Sequence, residues 1–318
     1  MSKVLSPRFR AVLQALLVTF LWSTSWVLIK IGLQGVPALP FAGLRYTLAF
    51  VCLLPFAIRS RQLASLRSLS VRSWARLVLL GCLFYTVTQG AQFLSLFYLP
   101  AMTTSLLLGF TPAVVALLGV LLLGERPTAL QWGGTALCLI GLWVFFYPAA
   151  LAGSEATGLV VAGVGVMANA LSSILGRHVN RSGELKPMAV TVVSMGSGAI
   201  VLLASGILAQ GLPRLRPADW AIILWLAVVN SALAFTLWNR TLRTLSAMES
   251  SILNNTMTFQ IALLAWAFLG ERLTWSKVLG MALAVLGTLA VQAGQGFKVP
   301  AAMRSLATRR PRHMRGSE

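Results

Sequence analysis

Charge is what this chain has least of. Of its 318 residues only 10% are Asp, Glu, Lys or Arg, and just seven are acidic, whereas soluble domains run near a quarter charged. So few charges cannot build the polar shell that a soluble protein of this length needs, which excludes a water-soluble globule. Cysteine is equally sparse: Cys52, Cys82 and Cys138 sit in apolar context without paired spacing, so a disulfide-stapled scaffold is excluded too. Two histidines, with no HExxH, P-loop or Cys-rich spacing, lead us to expect no metal and no cofactor. What is abundant is apolar. Hydrophobic residues make up 57% of the chain, mean hydropathy is +0.81, and ten Trp and 27 Gly suit a helical membrane protein.

Apolar runs of spanning length recur throughout. Ten are read, at roughly 12–34, 39–59, 74–98, 101–123, 129–147, 156–177, 186–209, 219–243, 246–269 and 275–295. The break between the third and fourth rests on Pro100 alone, and the eighth and ninth adjoin closely, so nine or eleven spans stay open at this point. The basic excess tests the count. With the N-terminus inside, 20 of the 26 Lys and Arg fall on cytoplasmic segments, five fall outside and Arg45 lies within a span. That bias supports ten spans with both termini cytoplasmic. Dispersal over loops, rather than along one face, argues against nucleic acid as a partner of this +19 chain. The tail, 296–318, is expected to be a basic cytoplasmic segment able to touch anionic lipid headgroups. The first span lacks an Ala-x-Ala cleavage pattern and is read as a retained helix rather than a signal peptide.

A phrase is duplicated. GERPT at 124–128 returns as GERLT at 270–274, an offset of 146. The same offset carries Ala101 to Ala247, Gly134 to Gly280 and Gly141 to Gly287. Five helices per copy is an odd number, so the second copy enters the bilayer from the other side, an inverted repeat of the kind many transporters use. The expected units are 1–147 and 148–295. Gly124, Glu125 and Arg126, with Gly270, Glu271 and Arg272, are assigned a structural role, since glycine ends helices. Thr128 with Gln131 forms a capping-box pattern, and Thr274 is placed to cap the last span. The paired glycines, seven apart, share a helix face and mark spans five and ten as closely packed scaffolding.

Polar groups inside spans carry the remaining information, because hydrocarbon leaves them no water. Tyr85, Gln89 and Gln92 follow i, i+4, i+7 in span three; Trp22, Ser25 and Trp26 lie at similar depth in span one. Asn169, Ser172 and Ser173 share a face of span six, Asn230 and Trp238 belong to span eight, and Asn254, Asn255 and Thr258 enter span nine. Together they are expected to line a substrate pathway; the plainer role for each is gluing helices. Arg45, inside span two, and Glu249, one turn into span nine with Arg240 or Arg243 to neutralise it, are the gate or proton-coupling candidates. Lys30 is placed at the outer mouth, and His178 in a cytoplasmic turn. Pro112 should kink span four; Thr258 stands at the matching position of span nine, so the halves should bend differently. GVGVMA at 163–168 lies inside an apolar helix with no strand before it and fails as a dinucleotide fingerprint. The glycosylation triplets at 239 and 254 lie in or beside spans.

These residues resemble the drug/metabolite transporter superfamily, specifically its ten-helix branch of two EamA-type repeats. The resemblance rests on WSTSWVLIK at 22–30, on Pro40 with Arg45, on PAVVALLGVLLLGERPT at 112–128 and on TFQIALLAWAFLGERLT at 258–274. It covers about residues 12–295. It implies a multi-pass carrier of the bacterial inner membrane, commonly an exporter of amino acids or similar small metabolites, working by alternating access. In that light Trp22 and Arg45 match recurrent positions, whereas the first helix of the second half lacks the tryptophan-rich start. The implied partners are a small-molecule substrate and membrane lipids, with the chain a monomer or homodimer. Two other classes remain open on sequence: a membrane enzyme, which needs a convergent catalytic cluster, and a non-transporting sensor or assembly partner, which needs no cavity.

Overall fold

The structure is a computed structural model that describes residues 7–59, 66, 69–123, 128–147, 153–181, 187–242, 244–245 and 247–296. It is all-helical over those residues, and ten helices are long and apolar enough to cross a membrane. They are α1 (Arg8–Gly32), α2 (Ala38–Arg59), α3 (Val71–Tyr98), α4 (Ala101–Gly119), α5 (Ala129–Phe146), α6 (Gly153–Val179), α7 (Met188–Gln210), α8 (Pro217–Trp238), α9 (Ile252–Leu269) and α10 (Trp275–Gly294). The ten expected spans are therefore present, and Pro100 does separate the third from the fourth. Large apolar side chains such as Leu121, Trp143 and Phe268 point outward, as a lipid-facing surface requires. This is a multi-pass membrane protein.

The two halves interlock as antiparallel counterparts. Gly134 of α5 lies against Gly287 of α10, and Gly141 against Gly280. A Cβ added at Gly134 would stand 2.7 Å from the Gly287 carbonyl, and one at Gly280 would stand 2.6 Å from the Gly141 carbonyl. Two backbones in direct contact leave no room for any side chain, which is why both copies need glycine here. α2 and α7 pair likewise, with Gly43 on Leu203 and Gly206 on Leu39. A further relation was invisible in the composition. α3 widens into a π-helical stretch at Cys82–Thr88 and α8 does so at Val228–Leu233, starting points separated by the same 146 residues. In each, a hydroxyl reaches back five residues to a carbonyl: Thr88 Oγ1 donates to Leu83 (2.8 Å) and Ser231 Oγ to Leu226 (3.0 Å). Such bulges mark functional helices more often than plain scaffold.

Helix ends follow the expected signals. Thr128 and Gln131 form the reciprocal capping box of α5, and Thr274 Oγ1 accepts from the Lys277 amide at the start of α10. Gly270 takes φ +68°, and the Glu271 amide donates back to the Ala265 carbonyl (3.3 Å), the left-handed stop that glycine permits. Gly124, Glu125 and Arg126 of the first copy lie outside the described residues, as do Arg243 and the tail from 297.

Candidate functional site: two hollows on one set of helices

α4 is not one continuous helix. It stops at Leu108, turns through Gly109 and Phe110, and restarts at Thr111. Pro112 has no N–H to give the Leu108 carbonyl; the Thr111 hydroxyl supplies that bond instead, at 2.8 Å, and in turn accepts from Asn169 Nδ2 of α6 at 3.2 Å. The helix that carries α9 runs unbroken from Ala247 to Leu269, so the halves bend differently, as Pro112 and Thr258 predict. Broken helices beside a cavity are tolerated because the freed backbone is met by side chains or water.

Beside this break lies a cavity of about 420 Å³, within the range of small-molecule sites. Trp26 of α1, the α4 break, one face of α6, one face of α9 and Gln292 of α10 line it. On α6 the lining residues Asn169, Ser173 and Arg177 are spaced i, i+4, i+8; on α9 Asn254, Thr258 and Ile261 follow i, i+4, i+7. Asn255 also lines it and donates to Gln292 Oε1 at 3.4 Å. The residues nearest its open end, Arg177, Asn254 and Gln292, belong to the ends of α6, α9 and α10 on the side where α1 begins and α10 finishes.

A second hollow of about 760 Å³ opens on the opposite side. It uses the far ends of α1, α6 and α9 and the α3–α4 turn, with Lys30, Glu155 and Glu271 among its walls. Between the two hollows each of these helices contributes a fully buried residue: Ile29, Met102, Ala162 and Ala265 are each 0% exposed. The hollows thus draw on opposite stretches of α1, α6 and α9, with these buried residues at intermediate positions along the helices.

The structure gathers Trp26, Asn169, Asn254 and Asn255 at the cavity and puts the other candidates in helix seams. Trp22 packs against Phe235 and Trp238 of the eighth-span helix at ring separations of 5.4 and 5.3 Å, and its indole N–H donates to the Asn230 carbonyl (3.1 Å). The Asn230 amide returns bonds to the Leu21 carbonyl and to Thr24 Oγ1. Ser25 and Ser172 bond to backbone carbonyls of their own helices. Gln89 accepts from Tyr46 (2.6 Å), whose ring meets that of Tyr85 edge-on; Gln92 is half-buried. Arg45, 4% exposed, donates to Ser231 (3.2 Å) in the π-helical stretch of α8 and lies over the rings of Tyr46 and Phe93. Glu249 pairs with Arg8 at the start of α1 rather than with Arg240.

Lys30 lies at the end of α1 that borders the larger hollow, and its ammonium is turned inward onto the carbonyls of Leu96 (2.5 Å) and Leu99 (2.8 Å). Sequence reasoning passed over three contributors. Gln260 links Ser23, Thr19 and Thr256 by hydrogen bonds of 2.9 to 3.3 Å across α1 and α9. Thr111 was hidden beside the more conspicuous proline. Gln292 was hidden in a helix read only as scaffold, although it stands on a different face from Gly280 and Gly287.

Comparison with known proteins agrees with this geometry. Residues 9–147 and 156–292 match the sequence model of the family described as EamA-like transporter family. The chain is 25% identical over 284 residues to "Uncharacterized transporter YoaV" of Bacillus subtilis, covering 85% of this chain and 92% of that protein. It is 27% identical over 294 residues to the "Probable amino-acid metabolite efflux pump" of Escherichia coli, covering 86% and 91%. A crystal structure that is 19% identical shares the fold, with a TM-score of 0.64 over 90% of this chain and 99% of its own.

Proposed function

The chain belongs to the EamA-like transporter family, and from that premise we propose that it exports amino acids or similar small metabolites across the bacterial inner membrane by alternating access. The observation that carries this reading is the pair of hollows lined by opposite stretches of α1, α6 and α9, one completed by the α4 break and the other by the α3–α4 turn, with the buried Ile29, Met102, Ala162 and Ala265 at intermediate positions along the helices. A carrier that exposes one midplane site to each side in turn needs that arrangement, and an inverted repeat supplies its two related states. The Arg and Lys bias of the sequence supports a cytoplasmic position for the smaller cavity, where an exporter loads. The two units are 1–147 and 148–295, followed by the basic tail. The glycine-packed α5–α10 pair serves as the common scaffold, and the remaining helices move around it. The protein acts as a monomer or homodimer, and no step of the cycle calls for a cofactor. An amino-acid efflux relative supports the solute class, and amide, hydroxyl and indole groups in the cavity suit a small amphipathic molecule.

The test is counterflow in liposomes that hold the purified chain, using a panel of labelled amino acids. Protein-dependent exchange of at least one is expected. No exchange of any of them would overturn the reading.

A further inference from the structure

Arg177 stands apart in the loading cavity. Among the described residues that line the 420 Å³ space it is the only charged side chain, and no described carboxylate joins it there. Among the described residues Arg177 makes no ion pair; the pairs formed are Arg8 with Glu249 and Arg216 with Asp219. It shares one face of α6 with Asn169 and Ser173, so the three polar groups form a ladder from the cavity mouth toward the α4 break. The far end is lined by Trp26 and Ile261, an indole and a branched aliphatic chain. The space is thus polar and positive at one end, while the other offers an indole and an aliphatic chain beside Ser105, whose hydroxyl is tied to the Met102 carbonyl.

We infer that Arg177 is the carboxylate anchor of this site and that the solute class is a monocarboxylate with an apolar or aromatic body. This deepens the transport reading above and rests on it. A guanidinium presents a planar fork of donors that matches a carboxylate in a bidentate pair. As the cation at the exposed end of a recess, Arg177 draws anions and repels amines that lack a carboxylate. With a single positive group among the described lining residues, the site neutralises one negative charge. A dianion such as a phosphomonoester would enter with a charge left over. Side-chain amide oxygens of Asn254 and Gln292 are acceptors for an ammonium group on the same solute, which leaves its side chain for Trp26 and Ile261.

The experiment uses the full chain in phosphatidylethanolamine–phosphatidylglycerol vesicles, measuring exchange of whichever labelled neutral amino acid moves best. Unlabelled competitors are that amino acid, its decarboxylated amine and its methyl ester. The amino acid should compete, whereas the amine and ester should not. Arg177→Gln should raise the half-saturating concentration by roughly tenfold or more, the scale of one lost charge-assisted hydrogen bond. Arg177→Lys, which keeps the charge, should raise it less, and neither change should alter the melting temperature in detergent. Equal competition by the amine or ester, or an Arg177→Gln variant that saturates like the parent, would overturn the anchor while leaving transport standing. Absence of any exchange by the parent would remove both.

Discussion

Lys30 and Glu271 hold the two sides of a single helix break. Lys30 donates to carbonyls at the C-terminal end of α3, that of Leu96 and that of the capping Leu99 just beyond it (2.5 and 2.8 Å). Glu271 accepts from the first amides of α4, those of Ala101 and Met102 (2.5 and 3.0 Å). A cation at a helix C-terminus and an anion at an N-terminus each meet the favourable end of a dipole. The duplicated GER phrase thereby acquires a job that crosses between the halves: its second copy caps a helix of the first. Glu271→Ala should cost about 1 kcal/mol or more of stability, the usual loss for an N-cap, and Glu271→Gln less, because the amide oxygen still accepts. Lys30→Met should destabilise as well. Thermal unfolding in detergent checks both, and the double variant should lose less than the two separate losses combined, since both side chains serve one break.

Adjacent glycines in α5 should behave in opposite ways. A Cβ at Gly134 would meet backbone of α10 at 2.7 and 2.8 Å, whereas at Gly133 nothing lies within 4 Å. Backbone cannot step aside as a flexible side chain does, so Gly134→Ala should destabilise by about 1–3 kcal/mol, the range for overpacking. Gly133→Ala should be neutral or slightly stabilising through helix propensity. Melting temperatures of the two variants settle the matter, and a Gly134→Ala protein as stable as the parent would refute the interlock.

Much of this fold was legible because the bilayer imposes a simple demand. Backbone groups must bond internally, so the chain writes each crossing as one long apolar run, and α1 to α10 could be counted directly. Gly134, Gly141, Gly280 and Gly287 were legible because close backbone approach admits one residue type at a helical spacing. The site was only partly legible, since polar side chains in seams and in cavities look alike in sequence. Trp22 and Trp26 are one turn apart on the same helix, yet Trp22 is covered by Phe235 and Trp238 while Trp26 faces the cavity. Which neighbour lies opposite at each depth is a property of tertiary packing. Arg177 counted as another cytoplasmic charge for the same reason.

Arg45 is a charge kept in a dry place. It has a hydroxyl and two aromatic faces around it, and among the described residues no carboxylate pairs with it. Replacing a buried charge by an apolar chain of similar length is often neutral or stabilising, and Ser231 would keep its own bond to the Leu226 carbonyl. Arg45→Met should therefore match or exceed the parent in melting temperature. Intramembrane charges retained against that cost mark functional positions, so the same variant should lose most of its exchange activity. A stable variant with full exchange would reduce Arg45 to packing.

Glu249 should not set the pH dependence of transport. Its carboxylate is tied to Arg8, whose side chain is 73% exposed, at the edge where α1 begins, and neither residue is among the described residues that line the two opposed hollows. Glu249→Gln should leave the shape of the exchange–pH curve unchanged, and exposed pairs of this kind contribute little to stability. Loss of pH dependence in that variant would make Glu249 the coupling site instead.

The α4 break offers the sharpest test of mechanism. Proline at 112 forces the Leu108 carbonyl to find another donor, and Thr111 provides it. Pro112→Ala restores an N–H at that position, so α4 can close into a continuous helix as its counterpart from Ala247 to Leu269 already does. The straightened helix should be at least as stable, but the turn at Gly109 and Phe110 would be lost, and with it the bend that shapes the cavity wall. Exchange should fall severalfold while melting temperature holds or rises. Thr111→Ala leaves the break in place and strips the carbonyl of its donor, so it should lower stability by about 1–2 kcal/mol. If Pro112→Ala exchanged at the parent rate, the break would be a packing detail and the moving element would have to be sought in α1 or α6.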